Sequence, residues 1–473
     1  MTTTSSKHYW YASLLIGFLL LAYRLITLAL TEPGLFFDEA YYYGWSLTPD
    51  WGYYSKPPVV AWLITASTAL FGNSEFSVKL PASIIYLLTA FVVQRTTAMV
   101  ASEKAGFWAF ITFIIMPFVS LNSWFITTDA PLLLCWSLTT HFFIKAQRND
   151  QCQYWFLAGL FGGLGLLSKY SMILLPGSVA IMYLFHGDYK KLLHWKFWLT
   201  IATALVVFAP NVYWQFQNGF PSFIHTAELA NKPGWDGNPH EFIPAQLIVF
   251  GPVAVFLLLS TLKKSFRHQY PEIWYLSWVP LFIFSAKSIQ GEAFINWSAF
   301  AYSSASILVG IVVCQKSPTV KGMHIGMSLL MAAVFYHYPF IQSALGIEKT
   351  KHNTPYARVD GWREISQQVN AIAQKYPSYF IGSESRTINA YLNYYIPDVK
   401  NRLRTINRNN HVANQYELFY LLKDSERPII WLSNNELDDI PFSNEPASES
   451  LLTTLKQRVY PSYQLTLWVY LVK

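Results

Sequence analysis

The chain has 473 residues, 53% hydrophobic and 17% aromatic with only 13% charged, which excludes an ordinary soluble domain pair and fits a membrane protein carrying a smaller polar part. A formal charge of +7 would suit a nucleic-acid binder, but the basic residues sit in short loops between apolar runs, where orientation in a bilayer accounts for them. Nucleic acid is not an expected partner.

Trp10 to Leu30 follows a short polar start containing Lys7; it is too long for a signal-peptide core and no small-x-small cleavage site follows, so it reads as an uncleaved first helix. The next runs of spanning character are Val78–Val100, Gly106–Leu121, Ala130–Ile144, Tyr154–Leu167, Met172–Phe185, Phe197–Trp214, Ile243–Leu262, Ile273–Ala286, Phe294–Cys314 and Gly322–Ile341, eleven candidate transmembrane helices in all. Gly159, Gly162, Gly163 and Gly165 would let one of these approach a neighbour closely. Val59–Phe71, at thirteen residues, suits an interfacial helix better than a crossing one. With that helix uncrossed, Lys104, Lys145, Arg148, Lys190, Lys191, Lys196, Lys263, Lys264, Arg267, Lys316 and Lys321 all fall on the side of Lys7, which the positive-inside rule makes the cytoplasm. The first outer loop (31–77), Asp129, Lys169, Lys287, Glu292 and the long loop Gln215–Phe242 then share the opposite face. After Ile341 the chain becomes mixed and polar. Helical stretches from Gly361 to about Lys375 and from Arg386 to Tyr395, with strand-like runs at Tyr379–Gly382, Pro428–Leu432 and Leu465–Val472, predict a small α/β domain. The expected division is 1–341 in the membrane and 342–473 outside it.

The polar residues on the outer face carry the chemistry. Asp38 and Glu39 follow Pro33-Gly34 and open a short surface helix bearing Tyr41, Tyr42, Tyr43 and Trp45. They read either as a general base whose pKa burial would raise or as acids favoured by a helix dipole. The tyrosines read as an interfacial aromatic belt or as sugar contacts. Lys56 precedes the rigid Pro57-Pro58 pair and suits a lipid phosphate or simple snorkelling. Asp129, in Thr127-Thr128-Asp129-Ala130-Pro131, is an N-cap or a site carboxylate, and Ser168-Lys169-Tyr170, Lys287, Glu292 and Asn296-Trp297 gather at the same leaflet. His225 is a contact or merely exposed.

Asp38-Glu39-Ala40-Tyr41-Tyr42, Trp51 through Ile64 with Tyr54-Ser55-Lys56-Pro57-Pro58, Leu70-Phe71-Gly72-Asn73-Ser74-Glu75, Thr128-Asp129-Ala130-Pro131 and Leu166-Leu167-Ser168-Lys169-Tyr170 resemble the bacterial branch of the dolichyl-phosphate-mannose protein mannosyltransferase superfamily. That branch includes the aminoarabinose and galacturonic acid transferases of lipid A and lipopolysaccharide. Asn296-Trp297, Gly361-Trp362-Arg363-Glu364 and Asn414-Gln415-Tyr416-Glu417-Leu418 extend the likeness over nearly the whole chain. The resemblance implies a C-type glycosyltransferase (GT-C) fold, a polyprenyl-phosphate sugar donor, a periplasm-facing glycolipid acceptor and an inner-membrane location. It implies that Asp38 is catalytic and that Lys56 attends the donor phosphate; many relatives have His-Pro-Pro where this chain has Lys56-Pro57-Pro58.

The expected reaction is inverting transfer to lipid A or lipopolysaccharide. Asp38, with Glu39 and Asp129, forms the catalytic set; Lys56, Lys169 and Lys287 serve the phosphate; Tyr42, Tyr54, Tyr170, Glu292 and Asn296 contact substrate. A polyprenyl phosphate leaves as a stabilised anion, so the site needs cations more than a strong acid. No cofactor or metal is called for. The rivals are a protein O-glycosyltransferase of the same fold, a structural membrane subunit, and a lipid-linked sugar flippase, which would be expected to carry ionisable groups deep in several spans, where Arg24 is the clearest here.

Overall fold

The structure is a computed structural model and describes residues 3–230, 237–409, 411–423, 425–443 and 446–473. A long first helix, α1 (Thr3–Thr31), is followed by the short α2 (Phe37–Ser46), α3 (Val59–Phe71) and the long α4 (Glu75–Val100). Then come α5 (Glu103–Ile114), α6 (Pro117–Asn122), α7 (Asp129–Asn149), α8 (Cys152–Leu166), α9 (Leu174–Phe185), α10 (Trp195–Gln217) and α11 (Pro221–Ala230). The helical part closes with α12 (Pro239–Phe250), α13 (Pro252–Leu259), α14 (Lys264–Gln269), α15 (Pro271–Gln290), α16 (Ala301–Val313), α17 (Pro318–Tyr336) and α18 (Tyr338–Ala344).

Every apolar run expected to span lies on one or two of these helices, but the described helices do not give eleven full-length spans. Four are long and apolar enough to cross a bilayer unaided, and five if one bent pair counts as a single span. The shortfall has local causes. The run Ile243–Leu262 is broken into α12 and α13, which meet at 105° where Gly251 takes a φ of 99° and Pro252 opens the next helix. The run Gly106–Leu121 breaks before Pro117, at the first turn of α6. The run Phe294–Cys314 becomes helical only at Ala301, after turns that carry Asn296 back toward α7. Gln215–Phe242, expected as a loop, is largely helical in its described parts, and its residues 231–236 lie outside the described residues.

Helix α3 has the thirteen residues read from sequence, between Pro58 and a Gly72 with φ 80°. At about 1.5 Å per residue it is roughly 20 Å long, short of a bilayer core of about 30 Å. It buries Val60, Ala61, Ile64 and Ser67 on one face and leaves Leu70 and Phe71 exposed. The glycine cluster works as expected, for a Cβ on Gly159 would lie 2.5 Å from the Thr200 carbonyl oxygen and one on Gly163 2.5 Å from the Val207 Cβ, both on α10. Arg24, in the middle of α1, is buried and donates to the Ile114 carbonyl and Ser120 hydroxyl.

The polar C-terminal part holds α19 (Trp362–Ala373), β1 (Phe380–Gly382), α20 (Arg386–Tyr395), β2 (Leu403–Arg404), α21 (Gln415–Phe419), β3 (Ile429–Ser433), α22 (Ala447–Ser450), β4 (Leu451–Tyr460) and β5 (Tyr463–Val472). Its sheet runs β2-β1-β3-β5-β4, with β1 parallel to β2 and β3, and β5 antiparallel to β3 and β4. α18 runs across the expected boundary at 341, and one apolar core continues from α2 and α4 into α19, α20 and the sheet. α2 and α20 pack against each other, Tyr391 donating to the Leu35 carbonyl and Tyr395 to Glu75.

Candidate active site

The two adjacent acids of α2 have opposite environments. Glu39 is 1% exposed, forms an ion pair with the equally buried Lys79 of α4, and accepts the backbone N–H groups of Phe36 and Ile126, each at 2.9 Å. Both of its oxygens are thereby committed to holding α2 against α4 and the segment before α7. Asp38 points another way. It is half-buried and has no hydrogen-bond partner among the described residues; burial raises its pKa, while the charges of Arg386 and Lys56 pull it back down.

Asp129, at the N-terminus of α7, lies within the same field, because its charge and that of Asp38 act together on Lys56 and on Tyr42. It is buried and doubly held: Lys169 donates to one oxygen at 2.7 Å and Asn296 to the other at 2.9 Å. Three loops distant in sequence therefore close on one carboxylate. Lys56 sits opposite, half-buried, with its pKa lowered to about 8 by burial and then by the charge of Lys169. The Lys56 backbone carbonyl accepts from Tyr53, and the Val59 N–H donates to the Leu167 carbonyl, so the loop before α3 and the end of α8 fix the two lysines relative to one another.

The aromatic contacts follow. Tyr42 is buried, its ring tilted against that of Trp45 with centroids 4.9 Å apart, and its phenol is kept protonated by burial. Tyr54 lies 5.1 Å from the His225 ring with its hydroxyl 3.4 Å from Nδ1, and its backbone N–H donates to Gln415. Burial and the charges of Lys56 and Arg386 lower the His225 pKa to about 4, so the half-buried imidazole is neutral near pH 7. Tyr170 donates to Asn211 and accepts from Gln215. Lys287 lies at the last turn of α15, with its Nζ beside Gly291, and one buried oxygen of Glu292 has no partner among the described residues.

Arg386 is the residue that sequence reasoning missed. It opens α20, whose start is fixed by Ser385 accepting the Ile388 N–H, and its guanidinium lies 5.4 Å from the Phe37 ring centre and 5.2 Å from that of Tyr41. The Ser-Arg pair at a helix start was visible; that this helix folds back onto α2 was not. Gln415 is a second such residue, its backbone N–H donating to Tyr41 and its side chain accepting from Tyr54.

Behind the charged cluster an apolar groove of about 440 Å³ runs between α3, α4, α7 and the end of α8, lined by residues such as Leu63, Leu70, Ile84, Leu88, Leu134 and Leu164. It reaches Val59 and Ser168, next to the loops that carry Lys56 and Lys169. Among the described residues no group of three or more His, Cys, Asp or Glu side chains is arranged to hold a metal ion.

Residues 55–214, which hold Lys56, Asp129 and Lys169, match the sequence profile of the dolichyl-phosphate-mannose-protein mannosyltransferase family. The lipid A galacturonosyltransferase RgtD of Rhizobium johnstonii is 28% identical over 410 residues, 82% of this chain and 83% of its own. The undecaprenyl phosphate-alpha-4-amino-4-deoxy-L-arabinose arabinosyl transferase of Shewanella sediminis is 25% identical over 306 residues, 60% of this chain and 55% of its own. In fold the chain is similar to ArnT from Cupriavidus metallidurans, with a TM-score of 0.71 at 16% identity over 99% of this chain and 98% of that one. Residues 55–214 thus carry a domain that matches that family, and the chain as a whole has the fold of ArnT. It is a membrane enzyme, helical with a small sheet, and its polar cluster lies on the elements the family profile covers, on α2 and α20 beside them, and at Asn296 before α16.

Proposed function

We propose that the protein moves a sugar from a polyprenyl-phosphate donor onto lipid A or lipopolysaccharide at the periplasmic face of the bacterial inner membrane, with inversion. The observation that carries the reading is the placement of Asp38. An uncommitted, half-buried carboxylate lies in the field of two cations, and an apolar groove ends beside the loop that carries one of them, Lys56, which suits a substrate with a charged head and a hydrocarbon tail. Similarity to RgtD, named for lipid A, supports the acceptor, and similarity to ArnT, whose structure is also known bound to undecaprenyl phosphate, supports the donor.

In this scheme the tail lies in the groove and the phosphate meets Lys56, with Lys169 held ready by Asp129 and Asn296. The acceptor hydroxyl attacks the anomeric carbon from the Asp38 side. Asp38 takes its proton, the bond from the anomeric carbon to the phosphate oxygen breaks, and polyprenyl phosphate leaves as an anion that Lys56 stabilises. Tyr42 and Tyr54 flank the sugar and Glu39 positions Asp38 by fixing α2. Lys287 is a third cation available to the phosphate, and Glu292 is assigned to the acceptor. The scheme requires no metal.

Purified protein supplied with a polyprenyl-phosphate sugar and a lipid A acceptor tests this. Asp38→Asn should fold, bind donor and lose about 10²–10⁴-fold in kcat, the range of a general base. Undiminished transfer by that variant would remove Asp38 from the reaction.

A further inference from the structure

A second cavity plays no part in the scheme above. It holds about 550 Å³, more than the apolar groove, and lies between the end of α2 (Tyr43, Leu47), Asn73 just after α3, and the end of α20 with the turn beyond it (Tyr394, Asp398, Asn401). The cavity and the groove have no lining residue in common. On α2, Tyr43 is five positions from Asp38, and at about 100° per residue their side chains leave the helix about 140° apart. The cavity and the reacting carboxylate are therefore on different sides of α2.

The lining is polar without a surplus of charge. Lys400 is the cavity's one cation, and its ammonium already donates to the Leu47 carbonyl at 3.0 Å; Asp398 is its one anion. The Asp398 carboxylate and the Asn401 amide are exposed and make no hydrogen bond to a described residue. Asn73 donates to the Tyr43 hydroxyl at 2.8 Å, which leaves its amide oxygen to accept. Tyr43 and Tyr394 meet edge to face at 4.7 Å and add ring carbon to the wall. Asp398 also keeps a left-handed φ of 56°, a conformation that concentrates at ligand sites in residues other than glycine. Amides and a carboxylate that pair with hydroxyl groups, beside aromatic carbon that covers C–H faces, suit a neutral saccharide. A phosphate would meet a committed lysine and an unpaired carboxylate instead.

The position of the cavity indicates what carries the saccharide. Asn73 is two residues beyond Phe71, and the exposed Leu70 and Phe71 end α3, the helix read as lying on the membrane surface. A sugar head in the cavity would leave its lipid tail against those side chains. We propose that this cavity is a second saccharide site, which holds the sugar head of a membrane glycolipid of the acceptor's class away from the reaction centre. The choice of glycolipid rests on the reading of the acceptor as lipid A or lipopolysaccharide.

The test measures binding of the free core oligosaccharide of lipopolysaccharide, released from its lipid and dephosphorylated, to the full-length protein in detergent. Wild type should bind it, and inorganic phosphate should not compete. Asn401→Trp, which fills the cavity, and Asp398→Asn, which removes the charged acceptor, should each weaken binding by about tenfold or more, while Asp38→Asn binds as wild type does. Should the cavity variants fold poorly, hydrogen exchange of wild type decides, because the oligosaccharide should slow amides 398–402 and leave α7 unchanged. No binding by wild type, wild-type affinity in both cavity variants, loss of binding in Asp38→Asn, or no protection at 398–402 would overturn the proposal. Failure of wild type to transfer sugar to a glycolipid would overturn the transferase reading and leave this binding result standing.

Discussion

Asp38 and Glu39 differ by one position and stand in different balances of free energy, which makes them separable by experiment. Removing one member of a buried ion pair leaves the other charge uncompensated, at a cost of about 3–5 kcal/mol. Glu39→Gln or Lys79→Met should therefore lower the unfolding midpoint in detergent sharply, and Glu39→Leu with Lys79→Met should cost less than the two single changes together. Asp38 has the opposite sign. A carboxyl whose folded pKa lies above its unfolded one binds protons more tightly when folded, so it favours the fold at low pH and that advantage is lost as pH rises through the raised value. Asp38→Asn should be at least as stable as wild type at neutral pH while transfer is lost. The same shifts set the pH profile. Activity should rise with the ionisation of Asp38, above the usual carboxylate range, and fall as Lys56 loses its proton near pH 8; Lys56→Arg should remove the alkaline limb of kcat/KM. An unchanged limb would mean that another group titrates there. The cluster of Asp38, Lys56, Asp129, Lys169 and Asn296 was legible in the sequence because each sits in a short loop between apolar runs. The division of labour between Asp38 and Glu39 was not, since it depends on Lys79, which lies inside an apolar run and pairs across helices.

At the scale of elements, the site depends on how closely α8 meets α10, because α8 ends where Ser168 and Lys169 begin. Gly163→Leu would force side-chain atoms into Val207 and the Ala204 carbonyl and push the helices apart. Overpacking of this kind costs about 1–3 kcal/mol. The expected result is a lower unfolding midpoint together with weaker donor binding, and Gly177→Leu, which has open space around its Cβ, should change neither. Equal effects of the two substitutions would show that helix approach is not what matters. The glycine pattern, the bounds of α3 and the helix Arg386–Tyr395 could all be read from the chain, because each depends on its own residues. The 105° break at Gly251-Pro252 and the late start of α16 could not. Hydropathy does not register where a helix bends. The strand β4 escaped notice too, since the polar residues of Leu451–Tyr460 show no apolar run and it is paired only through β5.

Over the whole molecule, the helical bundle and the C-terminal part act as one body because their contacts are charged as well as apolar. Glu75, at the start of α4, pairs with Arg363 of α19 and accepts from Tyr395 at 2.6 Å, so one carboxylate ties down both helices that carry the C-terminal part toward α2. Tyr395 is the last residue of α20 and Arg386 the first, so a helix clamped at Glu75 delivers its guanidinium beside Asp38. Glu75→Ala should leave the bundle folded, since the Glu39–Lys79 pair and the α8–α10 contact do not involve it, but should loosen α20. Hydrogen exchange of amides 386–395 should then quicken, and the KM for the donor should rise by a factor that Arg363→Ala reproduces in part and does not multiply when the two changes are combined, because both break one network. If exchange quickened in α20 while donor KM stayed at the wild-type value, Arg386 would be delivered to the site by α2 alone, through its cation–ring contacts with Phe37 and Tyr41, and the clamp at Glu75 would serve only to hold the chain together.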